Sequence, residues 1–347
     1  MIHRTVRPLR SALAALIGLG LMGSIAAVSP VQAADAPPVV IMKLGTAAQH
    51  DHQTEFLERY KAALEKDSKG RIQAQIFAAG VLGSIPRMIE DVQFGSIQGW
   101  MGTPSFLSGI DRRFEITELA LFGDPHPYLD TILDPAFATP FLAMGSDKGL
   151  HPVTYAYSGE AGLVLRKPVS SLADLKGLKI RCTPNAIEET ELRLLGATPV
   201  PMPLDQVLPA LQQGAIDGVV ITIGVASPLK YYSVAKYFYD MGLVHTINIV
   251  ALSDTWYSKL PPDLQAILNA DAPKIARGMF AWTLTFNDQQ KKEWTAGGGT
   301  IIPISKTDRA TFLSLIRPVG EDVTSKDPAE HELFVTLMNA ANRHGYK

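Results

Sequence analysis

The feature that most constrains the fold is a short phrase that occurs twice in the chain. VQFGSIQG at 92–99 and LQQGAIDG at 211–218 have glycine and isoleucine at matching positions. Before the first glycine of each phrase, apolar residues follow the i, i+3, i+4, i+7 spacing of an amphipathic helix. These residues are Ile85, Met88, Ile89 and Val92 in the first copy, and Leu204, Val207, Leu208 and Leu211 in the second. A chain that repeats one helix-to-strand unit in this way is predicted to build two similar lobes.

Short strand-like runs alternate with helical patterns along most of the chain. VVIMKLGT (39–46) precedes a helical stretch, VTYAYS and GLVLR are predicted as two strands, and KGLKIRC precedes a helix from about Ala186 to Leu195. This alternation predicts α/β layers with a largely parallel sheet. No Pro/Ser-rich linker separates the halves, so we expect the chain to pass between the lobes on strands.

The last third of the chain has a different pattern. After the strand-like INIVALS (247–253), a helical pattern dominates from Leu264 to about Trp294. Pro273 lies inside it and predicts a kink or a break. Long helices that follow two α/β lobes are expected to brace both of them.

The N-terminal residues have the layout of a secretory signal peptide. Arg4, Arg7 and Arg10 precede the apolar run SALAALIGLGLMGSIAAV, and small residues follow in VQAAD. This order predicts export to the periplasm, with removal of residues 1–33 and cleavage near Ala33 or Ala34. The alternative is an N-terminal membrane anchor, but the run is short for a span, which needs about 20 apolar residues.

Net charge and cysteine content argue against a nucleic-acid partner and against a fold held by disulfides. Without the leader, 29 basic residues stand against 34 acidic ones, a net charge of −5. A mildly acidic chain is a poor partner for nucleic acid. Cys182 is the only cysteine, so no internal disulfide can form, and we expect it to be a small buried apolar residue.

Motifs for catalysis are missing. The sequence has no G-x-S-x-G elbow, no P-loop and no G-x-G-x-x-G after its first strand. His50, Asp51 and His52 superficially resemble a metal cluster, but residues i and i+2 do not share a helix face and no further ligand follows at a familiar spacing. We therefore expect Asp51 to cap a helix, and we predict neither a metal nor another cofactor.

Arg181 is the residue whose position suggests ligand binding. It ends the brief strand in LADLKGLKIRCTPN, just before a predicted helix start. In open α/β sheets the ligand crevice lies beyond the carboxyl ends of the strands, where a guanidinium suits bidentate binding of a carboxylate. The alternative is a surface arginine paired with Glu188 or Glu189, and residue chemistry alone leaves the two interpretations equal. With Glu191, these acids are predicted to form a charged outer face of their helix.

Three long segments resemble one family of transport proteins. DLKGLKIR, LGATPVPMPLDQVLPALQQGAIDG and FLERYKAALEKDSKGRIQAQIFAAGVLGSIPRMIEDVQFGSIQGW resemble the DctP-like substrate-binding proteins of tripartite ATP-independent periplasmic (TRAP) transporters. The resemblance implies a two-lobed periplasmic-binding-protein fold with a central cleft, long C-terminal helices bracing both lobes and no enzymatic activity. It also implies that the protein closes on an organic acid and delivers it to the small and large subunits of a membrane permease. We predict lobe I at 34–158 plus 247–285 and lobe II at 159–246 plus 286–347, in a monomer or a dimer.

The resemblance also implies which residues bind the ligand. The arginine of the family's G-[LV]-[KR]-[ILF]-R motif, which pairs with the ligand carboxylate, falls on Arg181. Ala161 stands where sialic-acid-type members have a second arginine, which argues against a highly hydroxylated sugar acid. Together with Trp100 and Ile221, this favours a monocarboxylate with an apolar or aromatic body. The predicted ligand-binding residues are Thr46, His50, Trp100, Thr103, Ser105, Tyr155, Tyr157, Arg181, Ile221 and Thr222.

Two alternatives remain at this point. One is a periplasmic receptor that serves an ATP-driven importer or a sensor. The other is a secreted hydrolase that uses His50, Asp51 and His52, although the chain has neither a nucleophile elbow nor a complete metal set.

Overall fold

Strands and helices alternate along the chain in the computed structural model, which describes residues 38–121 and 123–346. The described strands are β1 (Val40–Gly45), β2 (Ile72–Phe77), β3 (Gly99–Gly102), β4 (Leu150–Leu165), β5 (Lys179–Cys182), β6 (Thr198–Pro201), β7 (Gly218–Thr222), β8 (Tyr237–Ser253) and β9 (Thr300–Pro303). The described helices are α1 (His52–Asp67), α2 (Ile85–Phe94), α3 (Pro125–Leu133), α4 (Pro135–Leu142), α5 (Ala186–Leu194), α6 (Val207–Gln213), α7 (Ile223–Ala226), α8 (Asp254–Tyr257), α9 (Pro262–Ala296), α10 (Lys306–Ile316), α11 (Val319–Thr324) and α12 (Pro328–Arg343).

The predicted signal peptide, residues 1–33, lies outside the described residues. Within them, no helix has the length and apolar character needed to span a bilayer.

Both copies of the repeated phrase form the same local structure. Helix α2 ends at Gly95, with a φ of 83°, and β3 follows it. Helix α6 ends at Gly214, with a φ of 71°, and β7 follows it. Both glycines adopt the left-handed conformation that closes a helix and that side chains with a Cβ tolerate poorly. The predicted repeat of helix, glycine and strand is confirmed.

The two halves of the sheet also have the same arrangement of strands. The strand order is β2-β1-β3-β8-β4-β7-β5-β6, with β9 paired to β8. Reading inward from either edge gives the same arrangement, because β1 and β5 each lie between two parallel neighbours, and β3 and β7 each pair antiparallel with a long strand. The predicted parallel pairing is therefore found in the outer strands, whereas the centre of the sheet is antiparallel.

Two long strands connect the halves of this sheet. The stretches predicted as separate strands, VTYAYS and GLVLR, belong to the single strand β4, which pairs with β8. We call the part around β3, with residues 150–157 and 247–253, the first half-sheet, and the part around β7, with residues 161–165 and 237–244, the second half-sheet. The chain thus passes between the halves on strands, as expected. The prediction of two strands was wrong because Gly159, with a φ of 131°, shifts the register of the ladder without ending it.

The long helix α9 contacts the cores of both half-sheets. Leu264 and Leu268 pack in the cluster that contains Phe56 and Tyr60 of α1, whereas Trp294 packs in the cluster around β7. The bracing role predicted for this region is confirmed. Of the kink or break predicted at Pro273, the break is absent, since α9 runs through this residue without interruption. The proline lacks the N–H that would bond to the carbonyl of residue 269, which is exposed.

Candidate functional site

A cavity of about 80 Å³ lies where β3 and β7 end, close to the central pair of strands. Both exits of the repeated units contribute to it, the first through Trp100–Thr103 and the second through Val220–Thr222. The lining residues are Ala47, Ala48, Gln53, Ile85, Trp100, Met101, Gly102, Thr103, Phe106, Glu118, Ser158, Ala161, Arg181, Thr183, Glu188, Leu204, Val220, Ile221, Thr222, Val225, Thr246 and Asn248.

Arg181 brings a buried positive charge to this cavity. It is only 3% exposed, and its Nε donates to the carbonyl oxygen of Met202 at 2.9 Å. No carboxylate among the described residues forms an ion pair with it. Burial lowers the pKa of the guanidinium, while the nearby charge of Glu188 raises it. A desolvated cation without a directly paired anion is arranged to receive one.

Trp100, in β3, forms another part of the wall. It is 1% exposed, and no described group accepts a hydrogen bond from its indole Nε1. The six-membered ring lies over Gly102, where a Cβ would fall well inside van der Waals contact with it. The glycine therefore makes room for the indole beside the cavity.

We expect Gly102→Ala to displace this ring and to lower the free energy of unfolding by about 1–3 kcal/mol, the usual cost of overpacking a core. Gly109→Ala is the matched control, because nothing lies within 4 Å of a Cβ there. Urea unfolding of both variants measures the difference. Equal stabilities for the two variants would contradict the packing described for Trp100.

A buried hydrogen-bond chain supports a further side of the cavity. The Nε2 atom of His52 lies 2.6 Å from Oδ1 of Asn248, and Nδ2 of Asn248 donates to the carbonyl oxygen of Ile247 at 3.0 Å. These two contacts orient the Asn248 amide. Asp51 caps α1 as predicted, since its side chain accepts from the backbone N–H of Thr54. His52 is thus a buried structural residue that holds a cavity-lining amide.

Two buried carboxyl groups lie beside Arg181. Glu118 and Glu188 both line the cavity and are close enough to share a hydrogen bond. Glu188 also accepts from the backbone N–H and the hydroxyl of Thr183, at 2.7 and 2.9 Å. Burial and the adjacent Glu188 raise the pKa of Glu118 well above its ordinary range. Burial raises the pKa of Glu188 as well, against the lowering effect of Arg181 and of the two hydrogen bonds from Thr183.

The predicted outer face of α5 is corrected by this arrangement. Glu188 and Glu191 are both buried, and only Glu189 is partly exposed, where it pairs with Arg193. Burial and the charge of Glu188 raise the pKa of Glu191 to about 8. Glu188 is buried beside Arg181 and Thr183, whereas Glu191 accepts from the Ala120 backbone N–H and its Oε1 has no hydrogen-bond partner among the described residues.

The structure brings five of the ten predicted ligand-binding residues into the cavity lining: Trp100, Thr103, Arg181, Ile221 and Thr222. Two more lie directly behind it. Thr46 donates to Oε1 of Gln53 at 2.7 Å, and Ser105 donates to the hydroxyl of Thr183 at 3.3 Å. The ligand-binding role of these residues stays a prediction.

Three predicted residues lie elsewhere. His50 lines a separate groove of about 490 Å³, which α1 and α9 border. The hydroxyl of Tyr155 donates to the carbonyl oxygen of Ile132, and that of Tyr157 lies 3.0 Å from Nδ1 of His245. Both tyrosines point into the core, so their expected role as hydroxyl donors to a ligand has no support in this geometry.

Sequence reasoning missed several polar lining residues. Gln53 and Asn248 reach the cavity from the first turn of α1 and from β8, which are far apart in sequence. Glu118 had a local signal, because it is an acid within the otherwise apolar run ITELALF. An acid within an apolar run can indicate a functional site, since an acidic side chain is rarely buried unless it has polar partners or a role in function.

Comparison with known proteins identifies the family. A family model described as bacterial extracellular solute-binding protein, family 7 (DctP), matches residues 45–327. The chain belongs to this family. Its members are solute-binding receptors and not enzymes, which leaves the hydrolase hypothesis without support. The described residues also contain no group of three or more His, Cys, Asp or Glu side chains placed to hold a metal ion.

Similar proteins agree with this assignment along most of the chain. The 2,3-diketo-L-gulonate-binding periplasmic protein YiaO of Escherichia coli (strain K12) is 25% identical over 281 residues, which are 81% of this chain and 85% of that protein. The sugar acid binding protein DctPAm from Advenella mimigardefordensis, solved in complex with galactonate, has a TM-score of 0.84 and 20% identity and covers 89% of this chain and 100% of its own.

A TRAP periplasmic solute binding protein from Desulfovibrio salexigens, solved with bound orotic acid, has a TM-score of 0.83 and 22% identity and covers 88% of this chain and 99% of its own. These likenesses confirm that this DctP family member has the predicted α/β periplasmic-binding-protein fold. The lobe boundaries at 158 and 246 stay predictions, and the register of β4 and β8 shifts at that point.

Proposed function

We propose that this DctP family member is the receptor of a TRAP-type transporter and binds a small organic acid between its two lobes. The ligand carboxylate pairs with Arg181, and the ligand body packs against Trp100 and Ile221. The protein acts in the periplasm after removal of residues 1–33 and passes its ligand to the permease subunits.

The observation that carries this proposal is the buried guanidinium of Arg181, which faces a cavity and lacks an ion-pair partner among the described residues. A buried charge costs free energy unless an opposite charge compensates it, so the cavity favours an anion. The named or bound ligands of the three similar proteins, diketogulonate, galactonate and orotic acid, are all carboxylic acids. Their chemical variety leaves the ligand body to be determined by this chain's own lining residues.

Ligand-dependent stabilisation tests the proposal. We expect a carboxylate that binds the closed form to raise the free energy of unfolding by about 2.7 kcal/mol at a ligand concentration of 100 Kd. Thermal unfolding is measured with dicarboxylates, oxo acids, hydroxy acids, aromatic acids and sugar acids, each paired with its neutral amide. An amide that stabilises the protein as strongly as its acid would contradict the carboxylate assignment, and stabilisation by sugar acids alone would contradict the apolar ligand body.

A further inference from the structure

The side chain of Asn287 connects the long helix α9 to the point where β4 passes from one half-sheet to the other. Its Nδ2 donates to the carbonyl oxygen of Ser158 at 3.2 Å. The next carbonyl, that of Gly159, accepts from the hydroxyl of Thr246 in β8 at 3.2 Å. The register of β4 against β8 shifts between Tyr157 and Gly159, so side chains hold two consecutive carbonyls at the place where the ladder is interrupted. We call residues 158–160 of β4 the crossing segment.

Two glycines provide the space for the Asn287 amide. A Cβ on Gly159 would lie 2.3 Å from Nδ2 of Asn287, and a Cβ on Gly224 would lie 2.3 Å from its Oδ1. Gly159 belongs to β4, whereas Gly224 belongs to α7, which begins directly after β7. The amide therefore lies in a slot between the crossing segment and the residues that follow the second half-sheet's β7.

One end of this amide has no partner. Oδ1 of Asn287 is buried and accepts no hydrogen bond from a described residue. A buried acceptor without a donor is costly, so an apolar side chain would fill a purely structural slot at a lower cost in free energy. We therefore attribute the asparagine to the bond that its Nδ2 makes with the crossing segment.

The slot adjoins the wall of the cavity. Ser158 and Thr246, which take part in the bonds at the crossing segment, line the cavity, and so do Thr222 and Val225, which flank Gly224 in sequence. Asn287 itself is not among the described lining residues. A side chain that fixes the crossing segment relative to α7 thus also fixes two parts of this wall relative to each other.

We propose that Asn287 is a positioning residue: through its bond to Ser158 and its place between Gly159 and Gly224, it allows α9 to set the orientation of one half-sheet relative to the other. Helix α9 contacts the cores of both half-sheets, and Asn287 bonds it to the strand that crosses between them. This inference goes beyond the proposed function, because it holds whatever ligand the cavity binds.

Distance measurements between the half-sheets test the proposal without a ligand. Spin labels at Ala62→Cys in α1 and Leu194→Cys in α5, in a Cys182→Ala background, report this distance by double electron–electron resonance. Asn287→Asp keeps the size of the side chain but loses the Nδ2 donor. Loss of one hydrogen bond changes an equilibrium constant by about 2- to 10-fold, so the fraction of molecules outside the main distance should rise by about this factor.

Asn269→Ala is the matched control for this measurement. Asn269 lies on the same helix, but it donates to Tyr257 of α8 and lies 3.2 Å from Nε2 of His151, in the first half-sheet. Its replacement should leave the distribution of distances unchanged. A distribution for Asn287→Asp that matches wild type, or an equally large change in Asn269→Ala, would overturn the proposal.

A double-mutant cycle tests the slot by a second route. Gly224→Ala places a Cβ against Oδ1 of Asn287, so it should lower the urea midpoint of unfolding in the wild-type background. In Asn287→Ala, which lacks Oδ1, the same change should lower the midpoint by less than about half as much. Equal shifts in the two backgrounds would contradict the slot and overturn the role of Asn287. Neither measurement uses a ligand, so these failures leave the proposed receptor standing, and that function is decided separately by the panel of carboxylates.

Discussion

Arg181→Ala should abolish tight carboxylate binding. The expected loss is about 2–5 kcal/mol of binding free energy, the usual cost of truncating one partner of a buried, hydrogen-bonded charge pair. The loss is large because the guanidinium is 3% exposed. Its Nε donates to the Met202 carbonyl and its Nη1 to the Val220 carbonyl, so the group is already held in one orientation before the ligand arrives. Calorimetric titration of the carboxylate that stabilises wild type most strongly measures the effect.

Two further variants separate charge from geometry. Arg181→Lys keeps the charge but not the planar pair of donors, so its affinity should lie between those of wild type and Arg181→Ala. Arg166→Ala removes an exposed arginine outside the cavity lining and should bind like wild type. The carboxylate assignment is wrong if Arg181→Ala and Arg166→Ala bind the acid equally well.

Glu191→Gln should remove part of the stability that the protein loses as the pH rises from about 4 to 8. The pKa of Glu191 is raised to about 8 in the folded state, against an ordinary value of about 4.3. Below pH 4 the group is protonated in both the folded and unfolded states and has no effect. As pH rises from about 4.3 to 8, the unfolded state ionises first, so folding becomes progressively less favourable, at about 1.4 kcal/mol per pKa unit.

The expected difference is therefore several kcal/mol near pH 8 and close to zero near pH 4. Glutamine preserves the shape of the side chain and the acceptor for the Ala120 backbone N–H, but it never ionises. Urea unfolding between pH 4 and pH 9 gives the comparison, with the partly exposed Glu189→Gln as control on the same helix. Parallel stability curves for wild type and Glu191→Gln would show that Glu191 ionises normally in the folded protein.

The parts of the fold that the sequence predicted well depend on neighbours within one helical turn or one strand. The glycines at 95 and 214 follow an amphipathic pattern directly, so both helix ends were predictable. Arg181 was placed correctly at a strand end by its flanking turn and helix start. Its burial within a cavity came only from the three-dimensional structure, since the local sequence fits a surface arginine equally well.

The predictions that failed depend on contacts between distant segments. Alternation along β4 puts Tyr155 and Tyr157 on one side of the strand, but only the packing of Ile132 and His245 decides that this side is the core. Glu188 was assigned to solvent because glutamate is rarely buried. Its buried neighbours are Arg181, in the preceding strand, and Glu118, which comes from a distant part of the chain.

The long pair β4–β8 determines how the two half-sheets can move. Both strands are hydrogen-bonded to each other along nearly their whole length, and each one continues from one half-sheet into the other. Tilting one half-sheet against the other must bend this pair of strands, because both strands continue from one half-sheet into the other. Its register shifts at Pro152/Thr154, Tyr157/Gly159 and Ala161/Leu163 interrupt the ladder, so we expect bending to concentrate there. Bending would store elastic energy in β4 and β8, and this energy would return the two half-sheets to their original arrangement after the ligand is released.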